Sequence, residues 1–265
     1  MHSSIITLTT DFGIEDHYVG VMKGVILSIN QEAWIVDITH GVPPHDILVA
    51  GFLVRSSYSY FPPGTIHVAV VDPGVGSHRQ PILVVTSKYC FVGPDNGIFS
   101  AAFEQEQEVR VFHLSEERFF LKPVSQTFHG RDIFAPVAAR LSLGEAPESF
   151  GREIRDYIVL QWPQPRSLGV GRLAGHVLRA DRFGNLITNV SSEELRNLGT
   201  LATGFEIQLG NHRIKKLCRS YAEAGPGEPF AIIGSSGLLE ISVSQASAAE
   251  LLGGQSQQEF ELSVL

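Results

Sequence analysis

The sequence is poor in cysteine, in clustered positive charge and in long apolar stretches. Its two cysteines, Cys90 and Cys218, are too few for a disulfide framework or a thiolate metal site. The formal net charge is -8 and no basic run occurs, which argues against binding nucleic acid or an anionic membrane through bulk electrostatics. No stretch approaches the roughly 20 apolar residues of a membrane span, and the N-terminal residues lack the pattern of a secretory signal. We therefore expect a cytoplasmic protein whose partner is a small molecule.

The N-terminal part alternates strand and helix patterns. Short apolar or β-branched runs predict strands at 5–9, 34–38 and 66–71, with helices between them at 18–29 and 46–60. This βαβαβ order predicts a largely parallel sheet covered by helices, with ligands outside the carboxyl ends of the strands. Two further short strands, at 82–86 and 89–92, and a helix at 132–143 complete the pattern.

The C-terminal part has a different pattern. The stretch 144–169 holds Pro147, Pro163 and Pro165, and we place a domain boundary late in it. This gives an N-terminal α/β domain at 1–165 and a smaller C-terminal β domain at 166–265. Beyond the boundary, short period-two runs separated by turns predict an antiparallel, barrel-like β domain. These runs are 171–178, 186–190, 205–209, 230–233, 238–243 and 259–264.

Three polar loops, at or between apolar runs, contain the candidate catalytic and binding residues. They are VVDPGVGSHR (70–79), FHGRD (128–132) and ADRFGN (180–185). In the first loop the Pro-Gly turn allows Arg79 to return beside Asp72, which suits a carboxylate–guanidinium pair at a strand end. Taken alone, such a pair is more often a structural ion pair, and a lone histidine such as His129 is more often structural than catalytic.

Together with TLTTDFG (7–13), FVGPDNG (91–97) and GSSGLLEI (234–241), these loops resemble the adenosine-forming S-adenosylmethionine hydrolases, relatives of the fluorinase and chlorinase. The six motifs occur in family order over nearly the whole chain. The resemblance implies hydrolysis of S-adenosyl-L-methionine to adenosine and L-methionine, with water or hydroxide attacking the ribose 5′ carbon. It places the catalytic aspartate, arginine and histidine at Asp72, Arg79 and His129. No cofactor or metal is implied, since S-adenosylmethionine is the substrate.

The proton acceptor in this reaction stays open between two residues. His129 is the natural candidate, because an unperturbed histidine has a pKa of roughly 6.5, and Asp72 is the rival base. Carboxylate neighbours would raise the pKa of His129. Arg79 is too basic to accept a proton.

The resemblance also implies residues that bind the adenosyl group. Asp11 matches the carboxylate that holds the ribose hydroxyls, since one carboxylate accepts from two vicinal hydroxyls at once. Asn185 matches the asparagine that reads the adenine edge. His45 aligns with a tryptophan that packs on the ribose in the halogenating relatives. Phe183 is a candidate for stacking nearby, with plain packing as the alternative.

Further residues are implied for the methionyl group. Asp181 matches the aspartate that receives the methionine ammonium group. Ser235 and Ser236 stand where the relatives contact the methionine carboxylate and amino groups. The halogenating relatives carry arginine at the position of Ser236, so a direct salt bridge is not implied here. The resemblance also implies a homotrimer, with each site between the N-terminal domain of one subunit and the C-terminal domain of its neighbour.

Three other interpretations compete with a hydrolase. A halogenase is disfavoured by Asp72, because halide-using relatives carry an aromatic residue there and a carboxylate repels the anion. A non-catalytic module that binds S-adenosylmethionine or adenosine would not need Asp72, Arg79 and His129 together. A metal site at His40, His45 and Asp46 is disfavoured because their spacing fits no usual zinc pattern.

Overall fold

The computed structural model describes residues 4–199 and 204–265, and the chain divides into two compact units, Met1–Trp162 and Pro163–Leu265. The division lies within the proline-containing stretch 144–169. Within the described ranges, no helix is both long and apolar enough to cross a lipid bilayer.

The N-terminal unit contains a seven-stranded sheet with the order β2-β1-β3-β5-β4-β6-β7. Strands β2, β1, β3 and β5 are parallel neighbours, whereas β4, β6 and β7 pair antiparallel. Strands β4 and β5 are antiparallel because only four residues connect them, which suffices for a hairpin but not for a crossover. The strands are β1 Ile5–Thr10, β2 Trp34–Thr39, β3 Ile66–Val70, β4 Pro81–Val85, β5 Cys90–Pro94, β6 Arg110–His113 and β7 Glu153–Ile154.

Helices cover both faces of this sheet. They are α1 Tyr18–Ile29, α2 Ile47–Ser57, α3 Ser100–Phe103 and α4 Ala135–Ser142. Alternate residues of β3 belong to two separate apolar cores, because successive side chains of a strand point to opposite faces. Val68 lies in the core that contains Met22 of α1, and Ala69 lies in the core that contains Val49 of α2. The predicted α/β architecture is confirmed. The parallel part of its sheet consists of β2, β1, β3 and β5.

The predicted helix at 132–143 begins differently in the structure. Residues Gly130–Phe134 form a π-helical turn, and the α-helix starts only at Ala135. Pro136 has no N–H to donate to the carbonyl of Asp132, which accepts from the Leu121 N–H at 2.8 Å instead.

The C-terminal unit is built on a nine-stranded, almost entirely antiparallel sheet with the order β12-β11-β16-β9-β10-β15-β14-β13, and β8 pairs with β9. The part of this sheet formed by β8, β9, β11, β12 and β16 is curled into a half-barrel, which confirms the predicted barrel-like β domain. The strands are β8 Arg166–Gly169, β9 Arg172–Ala180, β10 Leu186–Ser191, β11 Phe205–Leu209, β12 His212–Ile214, β13 Leu217–Cys218, β14 Pro229–Ile233, β15 Leu238–Val243 and β16 Glu259–Val264.

Two short helices in this unit, α5 Ser192–Leu198 and α6 Ala248–Leu252, were not predicted. Both begin at a serine cap, and α5 has a complete capping box between Ser191 and Glu194. The capping-box sequence is readable in the chain, but the helix is too short to show an apolar period.

Candidate functional site

A cavity of about 290 Å³ opens in the N-terminal unit. Its walls come from the segments that follow β1 and β3, together with the loop before α2 and the loop before the π-helical turn. Ligands bind at such carboxyl edges in parallel sheets. Four residues proposed from the sequence line this cavity: Asp11, His45, Asp72 and His129.

Arg79 joins Asp72 to His129. Its Nε donates to Oδ1 of Asp72 at 2.9 Å, and its Nη2 donates to Oδ2 of the same carboxylate. The same Nη2 lies 2.9 Å from Nδ1 of His129. The side chains of Arg79 and Asp72 are only 8% and 6% exposed, and the guanidinium lies 5.4 Å from the ring centre of Phe134. Such a bidentate pair is geometrically fixed, so the three side chains form one rigid group.

The contact with Arg79 determines the protonation of His129. A guanidinium has no acceptor, so Nδ1 of His129 accepts the hydrogen bond and the ring's proton is on Nε2. Burial and the Arg79 cation lower the pKa of His129 below its usual range, and the opposing influence of Asp72, Asp132 and a backbone hydrogen bond at Ser125 is weaker. The expected rise in this pKa is therefore wrong, because desolvation and the cation outweigh the carboxylates. His129 is neutral at neutral pH, and its Nδ1 lone pair is already engaged.

Two loops hold this group together. In the first, the Val75 N–H bonds the carbonyl of Asp72 at 3.2 Å and turns the chain back toward Arg79, as the spacing predicted. In the second, the fully buried Asp132 accepts from the Ser125 N–H at 2.8 Å and pairs with Arg131. The loops meet at Gly76, where a Cβ atom would lie 2.3 Å from the carbonyl oxygen of Gln126. Only glycine permits this approach.

Asp11 lies at the end of β1 on the cavity wall. Its Oδ2 accepts from the backbone N–H of His45 at 2.9 Å, which ties the two cavity-lining segments together. His45 is exposed and has a φ of 66°, a left-handed conformation that is uncommon for a non-glycine residue.

Three aromatic residues that sequence reasoning did not assign to the site also line the cavity. The rings of Phe12, Tyr18 and Phe128 lie 5.2 to 5.8 Å apart, centre to centre. Phe12 and Phe128 are parts of the TTDFG and FHGRD motifs, which was the available signal. Tyr18 is the first residue of α1, where a helical period gives no indication of its role.

The three residues considered for a metal site are engaged separately. His40 is buried and bonds Thr10, Asp46 accepts from the Val49 N–H as the cap of α2, and His45 is exposed on the cavity wall. Among the residues that the structure describes, no group of three or more His, Cys, Asp or Glu side chains is arranged to hold a metal ion.

In the C-terminal unit, Asp181 and Asn185 form one hydrogen-bonded turn between β9 and β10. Oδ1 of Asp181 accepts from the backbone N–H groups of Phe183 and Asn185, at 2.8 and 2.9 Å. Its Oδ2 accepts from the side-chain amide of Asn185 at 2.9 Å. Asn185 is buried, whereas Phe183 is 79% exposed and does not pack in the core of this unit.

Ser235 and Ser236 form the exposed tip of the turn between β14 and β15. The turn packs on Glu240, because a Cβ at Gly234 would lie 1.7 Å from Oε1 of that residue. Tyr221 donates to Oε2 of Glu240 at 2.8 Å, and burial raises the pKa of both groups, that of Tyr221 to about 12. Sequence reasoning missed this pair, whose members lie 19 residues apart.

Two family models match the chain. The model of the SAM hydroxide adenosyltransferase N-terminal domain matches residues 6–151, and that of the C-terminal domain matches residues 175–261.

Curated proteins with similar sequences are named (R)-S-adenosyl-L-methionine hydrolase. The one from Thermus thermophilus is 38% identical over 251 residues, which cover 92% of this chain and 93% of that protein. The one from Methanocaldococcus jannaschii is 38% identical over 267 residues, which cover 97% and 95% respectively. A fluorinase from an Actinoplanes species is more distant, at 25% identity over 281 residues and 92% of each chain.

The solved structures with this fold include a protein from Thermotoga maritima described as uncharacterized and conserved. It matches with a TM-score of 0.91 at 34% identity, over 97% of this chain and 99% of the other. A conserved hypothetical protein from Thermus thermophilus matches with a TM-score of 0.77 at 34% identity, over 99% and 100%. The similarity therefore extends over both units.

Proposed function

The chain belongs to the SAM hydroxide adenosyltransferase family, and from this premise we propose that it hydrolyses S-adenosyl-L-methionine to adenosine and L-methionine. The observation that carries the proposal is the rigid group of Asp72, Arg79 and His129 beside the cavity. The names of the relatives at 38% identity support it and indicate the R configuration at sulfur.

The reaction is a displacement at the 5′ carbon of the ribose. An oxygen of water forms a bond to this carbon while the bond from carbon to sulfur breaks, and the sulfonium leaves as a neutral thioether. No general acid is needed for such a leaving group. The site has to orient the water in line with the breaking bond and hold the adenosyl group still, which are effects of proximity and preorganisation.

The hydrogen bonds divide the roles within the group. His129 presents its Nε2–H as a donor, because its Nδ1 is bonded to Arg79. Asp72 keeps lone pairs beyond those that Arg79 uses, and it accepts the proton that the attacking water loses. A weak base suffices for this step, because water bonded to carbon is a strong acid. Arg79 fixes the relative position of the other two side chains.

Binding of the substrate is assigned to residues of both units. Asp11 accepts from the ribose hydroxyls, and His45 forms part of the ribose wall. Asp181 receives the ammonium group and Asn185 reads the adenine edge, with Phe183 beside them. Ser235 and Ser236 bind the methionyl end. The resemblance implies a homotrimer in which the N-terminal unit of one subunit and the C-terminal unit of its neighbour hold one substrate, and we propose this assembly; a monomeric mass in solution with full activity would contradict it. The cytoplasmic location stays a prediction.

A halogenase is the second enzyme that this family makes plausible, since fluorinases are among the relatives. The side chain of Asp72 lines the cavity, and a carboxylate repels a halide ion at short range. A binding module without turnover would not need the Asp72–Arg79–His129 group.

The decisive experiment is hydrolysis in isotopically heavy water. We expect the heavy oxygen in the 5′ hydroxyl of adenosine and none in methionine, because water attacks the ribose carbon. Separate assays with the two sulfur epimers should show preference for the R form. A chelator should leave the rate unchanged, since the proposal requires no metal or cofactor. Label in methionine, a 5′-halogenated nucleoside after addition of chloride or fluoride, or no turnover would contradict the proposal.

A further inference from the structure

Two threonines of strand β1 each pair with a buried histidine from a neighbouring segment of the chain. Oγ1 of Thr10 lies 2.9 Å from Nδ1 of His40, and Oγ1 of Thr7 lies 2.8 Å from Nδ1 of His67. All four residues are buried. The two pairs differ in their position relative to the cavity. Thr10 directly precedes the cavity-lining Asp11 and Phe12, whereas neither Thr7 nor His67 lines the cavity.

His40 holds the turn at 10–13 with both its side chain and its backbone. The side chain bonds Thr10, whose Oγ1 also accepts from the backbone N–H of Phe12 at 3.2 Å. The carbonyl of His40 accepts from the backbone N–H of Gly13 at 2.8 Å. The two residues that line the cavity, Asp11 and Phe12, therefore lie between two attachments to His40.

The charges around His40 determine the direction of these bonds. Nε2 of His40 lies 3.1 Å from Oδ1 of Asp37, off the line of an ideal hydrogen bond, and Oδ2 of Asp37 is 2.6 Å from Nζ of Lys23. A carboxylate beside Nε2 favours the proton on that nitrogen, which leaves Nδ1 as an acceptor. The Thr10 hydroxyl then donates to Nδ1 and accepts from Phe12, so it has one defined orientation and the turn has one defined geometry.

We propose that His40 is a positioning residue that fixes the turn bearing Asp11 and thereby sets the affinity for the adenosyl group. The inference rests on the proposed function, because it assigns Asp11 to the ribose hydroxyls. The hydrogen bonds of His40 and Thr10 described above end on the turn, not on Asp72, Arg79 or His129. Loss of the pair should therefore weaken binding and leave the chemical step intact.

The matched test compares Thr10→Val with Thr7→Val. Both substitutions remove a buried hydroxyl from the same strand and the same kind of histidine pair, at nearly constant volume. For Thr10→Val we expect KM, and the dissociation constant of adenosine measured by calorimetry, to rise about tenfold, with kcat within about twofold of the unaltered protein. For Thr7→Val all three values should stay within about twofold. The inference would be overturned if KM and the adenosine dissociation constant changed equally in the two variants, or if kcat of Thr10→Val fell at constant KM.

A second pair of variants distinguishes the contact of His40 Nδ1 with Thr10 from the contact of Nε2 with Asp37. This pair remains informative if Thr10→Val does not fold. The amide of His40→Asn reaches the position of Nδ1 and can accept from Thr10, whereas that of His40→Gln reaches the position of Nε2 near Asp37. We expect His40→Asn to retain a KM within about threefold and His40→Gln to show the tenfold rise. A larger rise in KM for His40→Asn than for His40→Gln would refute the role of the Thr10 contact. Absence of turnover in the unaltered protein would instead refute the proposed function, and the adenosine dissociation constants would still decide the inference.

Discussion

The close approach of two loops at Gly76 predicts a large loss of activity in Gly76→Ala. A Cβ atom there would lie 2.3 Å from the carbonyl oxygen of Gln126, whereas ordinary contacts begin at 3.4 Å, so the loops must separate by about 1 Å. The first loop bears Asp72 and Arg79, and the second bears His129. The 2.9 Å contact between Nη2 of Arg79 and Nδ1 of His129 would lengthen beyond a hydrogen bond. A misplacement of this size costs about 100-fold in rate, so we expect kcat to fall by about that factor.

The backbone of Gly76 requires a matched control, because its φ of 76° is unfavourable for alanine by roughly 1 to 2 kcal/mol. Gly64 has a φ of 88°, and a Cβ atom there meets no heavy atom within 4 Å. Gly64→Ala therefore pays the conformational cost without moving the loops. Rates of adenosine formation, measured well below the melting temperatures of both variants, should be normal for Gly64→Ala and about 100-fold reduced for Gly76→Ala. Equal kcat values in the two folded variants would refute this reasoning.

The remaining predictions concern the division between chemistry and binding, and the dependence of stability on pH. Asp72→Asn should lower kcat by about 100-fold or more while calorimetry shows a substrate dissociation constant within about threefold of normal; lost binding would contradict the role of Asp72. Asp11→Ala should do the reverse, raising the dissociation constant roughly tenfold to 100-fold through the loss of charge-assisted hydrogen bonds. Burial lowers the pKa of His67 from 6.5 to about 4, so its neutral form stabilises the fold above pH 6.5 and this stability is lost as the pH falls toward 4. The difference in unfolding free energy between the unaltered protein and His67→Phe, measured in urea, should fall by about 3 kcal/mol from pH 7 to pH 4, and a constant difference would contradict it.

The sequence was sufficient for features that depend on local spacing. The predicted limits of α1, 18–29, match the structure, because its apolar period runs without interruption from Val19 to Ile29. The pairing of Asp72 with Arg79 followed from their separation of seven positions with a Pro-Gly turn between them, and the structure contains it. The resemblance to the hydrolases rested on six motifs, and both family models confirm it.

Features that depend on contacts between distant segments could not be predicted in this way. The pKa of His129 depends on its burial and on Arg79, which lies 50 residues earlier, and the motif FHGRD contains no sign of either. The π-helical turn depends on Pro136 together with Leu121, whose N–H takes the carbonyl that the proline leaves free. The pairing of Thr10 with His40 depends on the register of two parallel strands and not on any motif.

Asp181 illustrates how the sequence can offer a candidate residue without showing the physical state of its side chain. A carboxylate has about four lone-pair positions, and three of those on Asp181 already accept hydrogen bonds from Phe183 and Asn185. The remaining position is on Oδ2, so a cationic ligand would meet a carboxylate whose orientation is fixed before binding. Such a group loses little side-chain entropy on binding, which favours affinity. Because the closure of the turn at 181–185 creates this preorganisation, replacing Asn185 should weaken ligand binding at Asp181 even for a ligand that never touches Asn185.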